Sequence, residues 1–154
     1  MIYRPFIFLF YVLPCSDQAV ADNIVQVTVP EVIVHAGKTA TINMYVSIKK
    51  GYHIQANKVI DGFIVPTTIE IENHEIITTG EYVFPICKKF KLEGTSDYLL
   101  VYDGSFKITI PFKTDERVQK GKYDLEAKLH YQACDAKTCF FPKTVAFSVS
   151  IKVV

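Results

Sequence analysis

The chain has 154 residues, 49% of them hydrophobic, with 17 Lys and Arg against 16 Asp and Glu. That length suits one domain with a single core of ordinary size. A formal net charge of +1 with no Lys/Arg stripe excludes the electrostatic footprint of a nucleic-acid-binding surface.

The first predicted element is an export signal over residues 1–21. Arg4 supplies the positive region, Phe6 to Leu13 is an unbroken apolar run, and Ala19-Val20-Ala21 is a small-x-small cleavage site. Asp22 is then the first mature residue. The apolar run is too short to cross a bilayer, which takes roughly 20 residues, and no later stretch is long and apolar enough. Leu13-Pro14-Cys15 superficially resembles a lipobox. Pro14 fits that motif poorly, so lipid anchoring at Cys15 ranks below simple cleavage. Residues 22–154 are expected to form one domain in the periplasm or outside the cell.

Beyond the signal the chain alternates in period two, as a half-buried strand requires. In chain order, weaker strands are predicted at Ile24–Val29, Tyr52–Ala56, Thr67–Glu72, Tyr82–Phe90 and Leu99–Tyr102. Stronger alternation marks Ile42–Ile48 and Phe106–Phe112. A polar turn region with Gly121 follows, then Tyr123–Tyr131 and Val145–Val153. Leu125, Leu129, Phe147, Val149, Ile108 and Ile110 are the predicted core. No apolar run has helical spacing of useful length. Eight or nine short strands, roughly, with turns between them predict an all-β, antiparallel immunoglobulin-like β-sandwich.

Cysteines stand at 15, 87, 134 and 139. Cleavage after Ala21 removes the first and leaves an odd number in a compartment where disulfides persist. Cys134 and Cys139 are the natural pair and bracket a hairpin-like connection before the last strand. Cys87, within Tyr82–Cys87, is expected to be a buried, inert thiol. A staple closing a loop of about six residues would stabilise the fold by only roughly 2 kcal/mol. The residues alone leave a redox pair and a structural staple both open.

Other chemistries are poorly served. No second Cys or His pair has zinc spacing, and the sole methionines, Met1 and Met44, leave a blue-copper site without its usual ligand. His35, His53 and His74 are scattered and read as surface or turn residues. No Ser-His-Asp pattern or phosphate loop is visible.

Tyr131-Gln132-Ala133-Cys134 and Cys139-Phe140-Phe141-Pro142 together resemble the signature Tyr-Gln-x-Cys…Cys-x-x-Pro. That signature belongs to the N-terminal periplasmic domain of DsbD, a bacterial transmembrane thiol–disulfide reductase. Gly51-Tyr52-His53-Ile54 is similar to the family's aromatic strand beside its site, and Val101-Tyr102-Asp103-Gly104 with Phe106–Phe112 to its central sheet. The resemblance covers nearly all of residues 22–154.

It implies an immunoglobulin-like thiol–disulfide oxidoreductase that needs no cofactor or metal. Cys139 would form the mixed disulfide and Cys134 would resolve it. Tyr131, Phe140, Phe141, Pro142 and Tyr52 would dock partners or shield the pair. A cap loop would lie between Lys91 and Tyr102, with Tyr98 as a lid aromatic. The implied partners are thioredoxin-like proteins and a membrane electron conduit, in a separate chain or in a part outside this sequence. Four residues separate the cysteines here, where some family members have five. Asp135 disfavours a thiolate and Lys137 favours it, so no strongly acidic thiol is expected. The competing expectation is an exported immunoglobulin-like binding or assembly module with a structural disulfide.

Overall fold

Alternation becomes strand wherever it is strongest in the sequence. A computed structural model describes residues 24–60, 64–96 and 98–154. The export signal, its cleavage site and Cys15 lie outside the described residues. Within them the chain forms β1 (Val25–Thr28), β2 (Val32–Val34), β3 (Thr39–Ile48), β4 (His53–Gln55), β5 (Thr68–Ile71) and β6 (Ile77–Thr79). There follow β7 (Lys88–Lys91), β8 (Tyr98–Asp103), β9 (Ser105–Thr114), β10 (Gly121–Tyr131), β11 (Ala133–Cys134) and β12 (Lys143–Val153). The described residues contain no helix.

The strands make three sheets, ordered β1-β3-β9-β6, β2-β12-β10-β5 and β11-β4-β8-β7. In the first, β3 and β9 run antiparallel from Thr39↔Lys113 to Ser47↔Ser105. In the second, β10 and β12 form one long ladder from Gly121↔Val153 to Tyr131↔Lys143. Their inward residues share one core. It contains Ile42, Met44, Val46, Ile108 and Ile110 from the first sheet, and Leu125, Ala127, Leu129, Val149 and Ile151 from the second. This is the all-β sandwich that the alternation predicts. Phe147, an expected core residue, is half-buried at the margin of that cluster.

The third sheet extends the sandwich and positions the site. Ile54, Ala56, Tyr102 and Ala133 on its inner face join the common core. Its strand β8 passes directly into β9 of the first sheet through Gly104, whose φ of 64° lies where a side chain would strain the backbone. The Gly104 carbonyl accepts the Ile48 N–H at 2.8 Å, tying this corner to β3.

Three local expectations are corrected. The stretch Tyr82–Phe90 is not a continuous strand: Val83 bridges Thr109 alone, and regular pairing begins only at Lys88. Pro85 lacks the N–H that a ladder needs. Phe84 instead stacks on Tyr102 at 6.4 Å, while Ile86 is 96% exposed. Cys87 is free and half-buried at the core's edge rather than fully buried. Moreover, one ladder is parallel, Ile151–Val153 with Val32–Val34. After Pro30 the chain leaves the first sheet and lays β2 on the edge of the second.

The sandwich core rests on residues such as Leu129, 0% exposed and paired with Val145 and Ile69. Leu129→Ala should lower unfolding free energy by about 3 kcal/mol. Phe147→Ala, at the margin, should cost clearly less per methylene removed. Urea denaturation of both variants checks the ordering.

Candidate redox site

The site begins where β10 ends. Tyr131 belongs to the second sheet, whereas Ala133 and Cys134 pair with Ile54 and His53 of β4 in the third. Gln132 makes the corner. Its backbone carbonyl accepts the Gln55 N–H at 3.0 Å. Its side-chain oxygen accepts the Val65 N–H at 2.8 Å, and its side-chain amide donates to the Phe140 carbonyl at 3.0 Å. One side chain thus fastens the segments on either side of the cysteine loop.

Cys134 and Cys139 face each other across a tight hairpin. The Asp135 N–H donates to Thr138 O at 2.9 Å, and the Phe140 N–H donates to Ala133 O at 2.8 Å. These bonds flank the pair and make it a non-hydrogen-bonded position, where antiparallel strands approach most closely. The Cα atoms are accordingly 3.9 Å apart, and the sulfurs are bonded at 1.97 Å. The Asp135 carboxylate closes the turn by accepting the N–H groups of Lys137 and Thr138, both at 2.7 Å. Those backbone bonds, with smaller help from His53 and Lys137, hold its pKa below the usual carboxylate range.

Register assembles the surroundings. Cys134 pairs with His53, and His53 pairs on its other side with Asp103. Paired residues share a face, so the three side chains form a row across the outer face of the third sheet. Gln55 stands two residues from His53 on that face. Its amide donates to Cys134 Sγ at 3.1 Å and lies 3.7 Å from Cys139 Sγ. His53 is 5% exposed, with its ring 3.9 Å from Phe90 and no hydrogen-bond partner on Nε2. Burial pushes its pKa below 6.5, against the opposing pull of Asp103 and Asp135.

The segment between β7 and β8 reaches the cysteine loop. The Glu93 N–H donates to Ala136 O at 2.9 Å, and Lys137 Nζ lies 3.9 Å from Glu93 Oε2. Beside it a cleft of ≈ 480 Å³ is lined by Tyr52, His53, Phe90, Asp103 and Ala136, among others.

The structure distributes the sequence-predicted residues unevenly. Cys134 is fully buried, and Cys139 is half-buried. Tyr131 lies in the core, 3% exposed. Tyr52 and Phe140 meet at 6.0 Å between ring centroids. Phe141 is 91% exposed, and Pro142 is exposed beside it. Tyr98 is 54% exposed and stands near Lys91, whose Nζ is 5.9 Å from its ring. Alternation puts Tyr98 on the face of Leu100 and Tyr102, away from His53. The aromatic against the row is Phe90.

Sequence reasoning missed His53, Gln55 and the bracing role of Gln132. The signal for the first two was slight: polar residues at alternate positions of a short, otherwise apolar strand. Among the described residues, no cluster of His, Cys, Asp and Glu could hold a metal.

An all-β sandwich with a disulfide on a hairpin at one end, Cys134 buried and Cys139 half-buried, defines an immunoglobulin-like domain with a candidate thiol–disulfide site. The family model described as "Thiol:disulfide interchange protein DsbD, N-terminal" matches residues 21–151, and the chain belongs to that family. The N-terminal periplasmic domain of ScsB from Proteus mirabilis shares the fold at TM-score 0.56 and 16% identity, over 84% of this chain and 45% of that one. The chain therefore spans less than half of that relative. A type I cohesin from Pseudobacteroides cellulosolvens aligns at TM-score 0.54 and 13% identity, over 84% and 92% of the two chains. The DsbD N-terminal domain of Neisseria meningitidis, in its reduced form, aligns at TM-score 0.46 and 17% identity, over 76% and 82%. No curated protein matches the sequence. No helix among the described residues is long and apolar enough to cross a membrane.

The buried imidazole makes stability depend on pH. Unfolding returns His53 to its ordinary pKa of 6.5. The unfolded chain then binds the additional proton, so stability rises with pH through the window just below that value and is lost as pH falls through it. Relative to the wild type, His53→Phe should lose less stability between about pH 7.5 and pH 5.5. Denaturation midpoints of both proteins across that range test this.

Proposed function

We propose that this domain passes electrons from a thioredoxin-like or membrane donor to oxidised proteins of the periplasm through the Cys134/Cys139 pair. The observation that carries the reading is the asymmetry of the sulfurs: Cys134 is 0% exposed, whereas Cys139 is half-buried and precedes the exposed Phe141 and Pro142. A partner thiolate reaches Cys139 Sγ. The new S–S bond forms as the Cys134–Cys139 bond breaks, and the electron pair leaves on Cys134 Sγ. The partner's second thiolate then attacks its own sulfur in the mixed disulfide. This releases the Cys139 thiolate and leaves two electrons on the domain.

Delivery reverses these roles. The Cys139 thiolate attacks a target disulfide, displacing one target thiolate. Cys134 then attacks Cys139 Sγ, displaces the second target thiolate and restores the pair. Phe141, Pro142 and half-buried Phe140 offer an apolar shoulder for a thioredoxin-like surface. Pro142 cannot donate a ladder bond, which favours an open strand beside Cys139. Periplasmic residence fits the export signal, the family's place in thiol–disulfide interchange and the periplasmic ScsB relative.

Cys134→Ala should accumulate a mixed disulfide between Cys139 and a thioredoxin-like protein, because nothing resolves it. Cys139→Ala should form little or none. Mapping the linked peptides decides the order of attack. Linkage mainly through Cys134 reverses the assignment, and no linkage in either variant favours a structural disulfide.

A further inference from the structure

Gln55 is fixed by contacts that do not involve the disulfide. Its N–H donates to the Gln132 carbonyl at 3.0 Å, and its own carbonyl accepts the Thr67 hydroxyl. Gln55 and Thr67 are each 1% exposed. From this held backbone the amide reaches Cys134 Sγ at 3.1 Å, inside the protein, where Cys134 is 0% exposed. A disulfide sulfur is a weak acceptor, but a thiolate is a strong one. The same N–H therefore gains strength as the S–S bond breaks and charge collects on Cys134.

The fold offers few other means of stabilising that charge. Thiols in many redox proteins are acidified by a helix N-terminus or a neighbouring cation. The described residues contain no helix. Of the charged groups around the pair, Asp135 is bound to backbone N–H groups, Asp103 pairs with Lys88 at 2.6 Å, and Lys137 approaches Glu93. His53 is held toward its neutral form by burial. A neutral amide donor needs no counter-charge and carries a smaller desolvation cost than an ammonium group.

We propose that Gln55 is a catalytic residue of the exchange reaction: its amide stabilises the thiolate that departs on Cys134 when Cys139 is attacked. The inference rests on the exchange reading above and names the group that makes Cys134 the better leaving sulfur. The step is balanced without further reactants. The attacking thiolate bonds to Cys139 Sγ, and the electron pair of the old bond moves to Cys134 Sγ, against the Gln55 N–H. No proton is transferred.

Gln55→Met, of similar length and without a donor, separates this role from packing. Three measurements use small thiols alone: the rate of reduction by dithiothreitol, the redox equilibrium with glutathione, and the ultraviolet thiolate absorbance of the reduced protein against pH. Gln55→Met should reduce about tenfold more slowly and move the thiolate titration to higher pH. Its glutathione equilibrium should shift about tenfold toward the disulfide above that titration, about 30 mV more reducing, and converge with the wild type below it. His53, Asp103, Asp135, Lys137 and Glu93 are common to both proteins, so the difference isolates the amide.

Gln55→Glu should be slower still at neutral pH, where a carboxylate faces the thiolate. It should regain rate over Gln55→Met at acid pH, where the carboxyl can donate. A Gln55→Met protein with wild-type thermal midpoint, titration and rate would overturn the proposal. If Gln55→Met unfolds, Gln55→Glu with a pH–rate profile parallel to the wild type would overturn it equally. Because no protein partner takes part, failure to exchange with thioredoxin-like proteins would refute the exchange reading and leave these readouts standing.

Discussion

The site depends on a sheet change accomplished within one residue. Tyr131 ends a long ladder in the second sheet, and Ala133 begins a short one in the third. A backbone turning such a corner loses its regular partners, and buried peptide groups left unpaired are costly. Gln132 removes that difficulty by bonding Gln55, Val65 and Phe140 at once. With the ladder of Ala133 and Cys134 on Ile54 and His53, this brace holds the cysteine loop against β4. The Tyr-Gln-x-Cys signature thus has a mechanical meaning: a core tyrosine, a corner glutamine, a small residue facing inward and a cysteine facing out.

The third sheet separates packing from chemistry by face. Ile54, Tyr102 and Ala133 contribute to the common core. His53, Gln55 and Cys134 occupy the other face, buried yet outside that cluster. Period two makes the separation automatic, since neighbours along β4 point in opposite directions. The sandwich can hold an imidazole with no hydrogen bond on Nε2 and a donor amide here without breaching its apolar interior. That arrangement sacrifices some stability, as buried polar groups generally do. The long β3–β9 and β10–β12 ladders supply it elsewhere.

The sequence revealed the long strands because alternation over ten residues or so is hard to produce otherwise. It showed the cysteine pair through spacing and the family through the residues around it. It did not reveal β2, β6 and β11, which are too short to express a period. It also misled at Tyr82–Phe90, where apolar composition suggested a strand but Pro85 interrupts pairing. Gln55 and His53 escaped for a different reason. Their role follows from register with β11 and β8, and strand register between distant segments is not written in either segment alone. His53 read as a scattered surface residue because its neighbours in space, Cys134, Asp103 and Phe90, lie far from it along the chain.

The turn closed by Asp135 has a kinetic consequence. Its carboxylate holds the N–H groups of Lys137 and Thr138, and flanking backbone bonds join Asp135 to Thr138 and Phe140 to Ala133. None of these bonds requires the sulfurs to be joined. Opening the disulfide therefore leaves the hairpin folded, and re-forming it carries little of the loop-closure entropy that a free segment would face. In the proposed delivery of electrons, Cys134 then attacks the target's mixed disulfide at an effective molarity far above the concentration of any bystander thiol. In that half-reaction the intermediate is cleared from within before a wrong partner can intercept it.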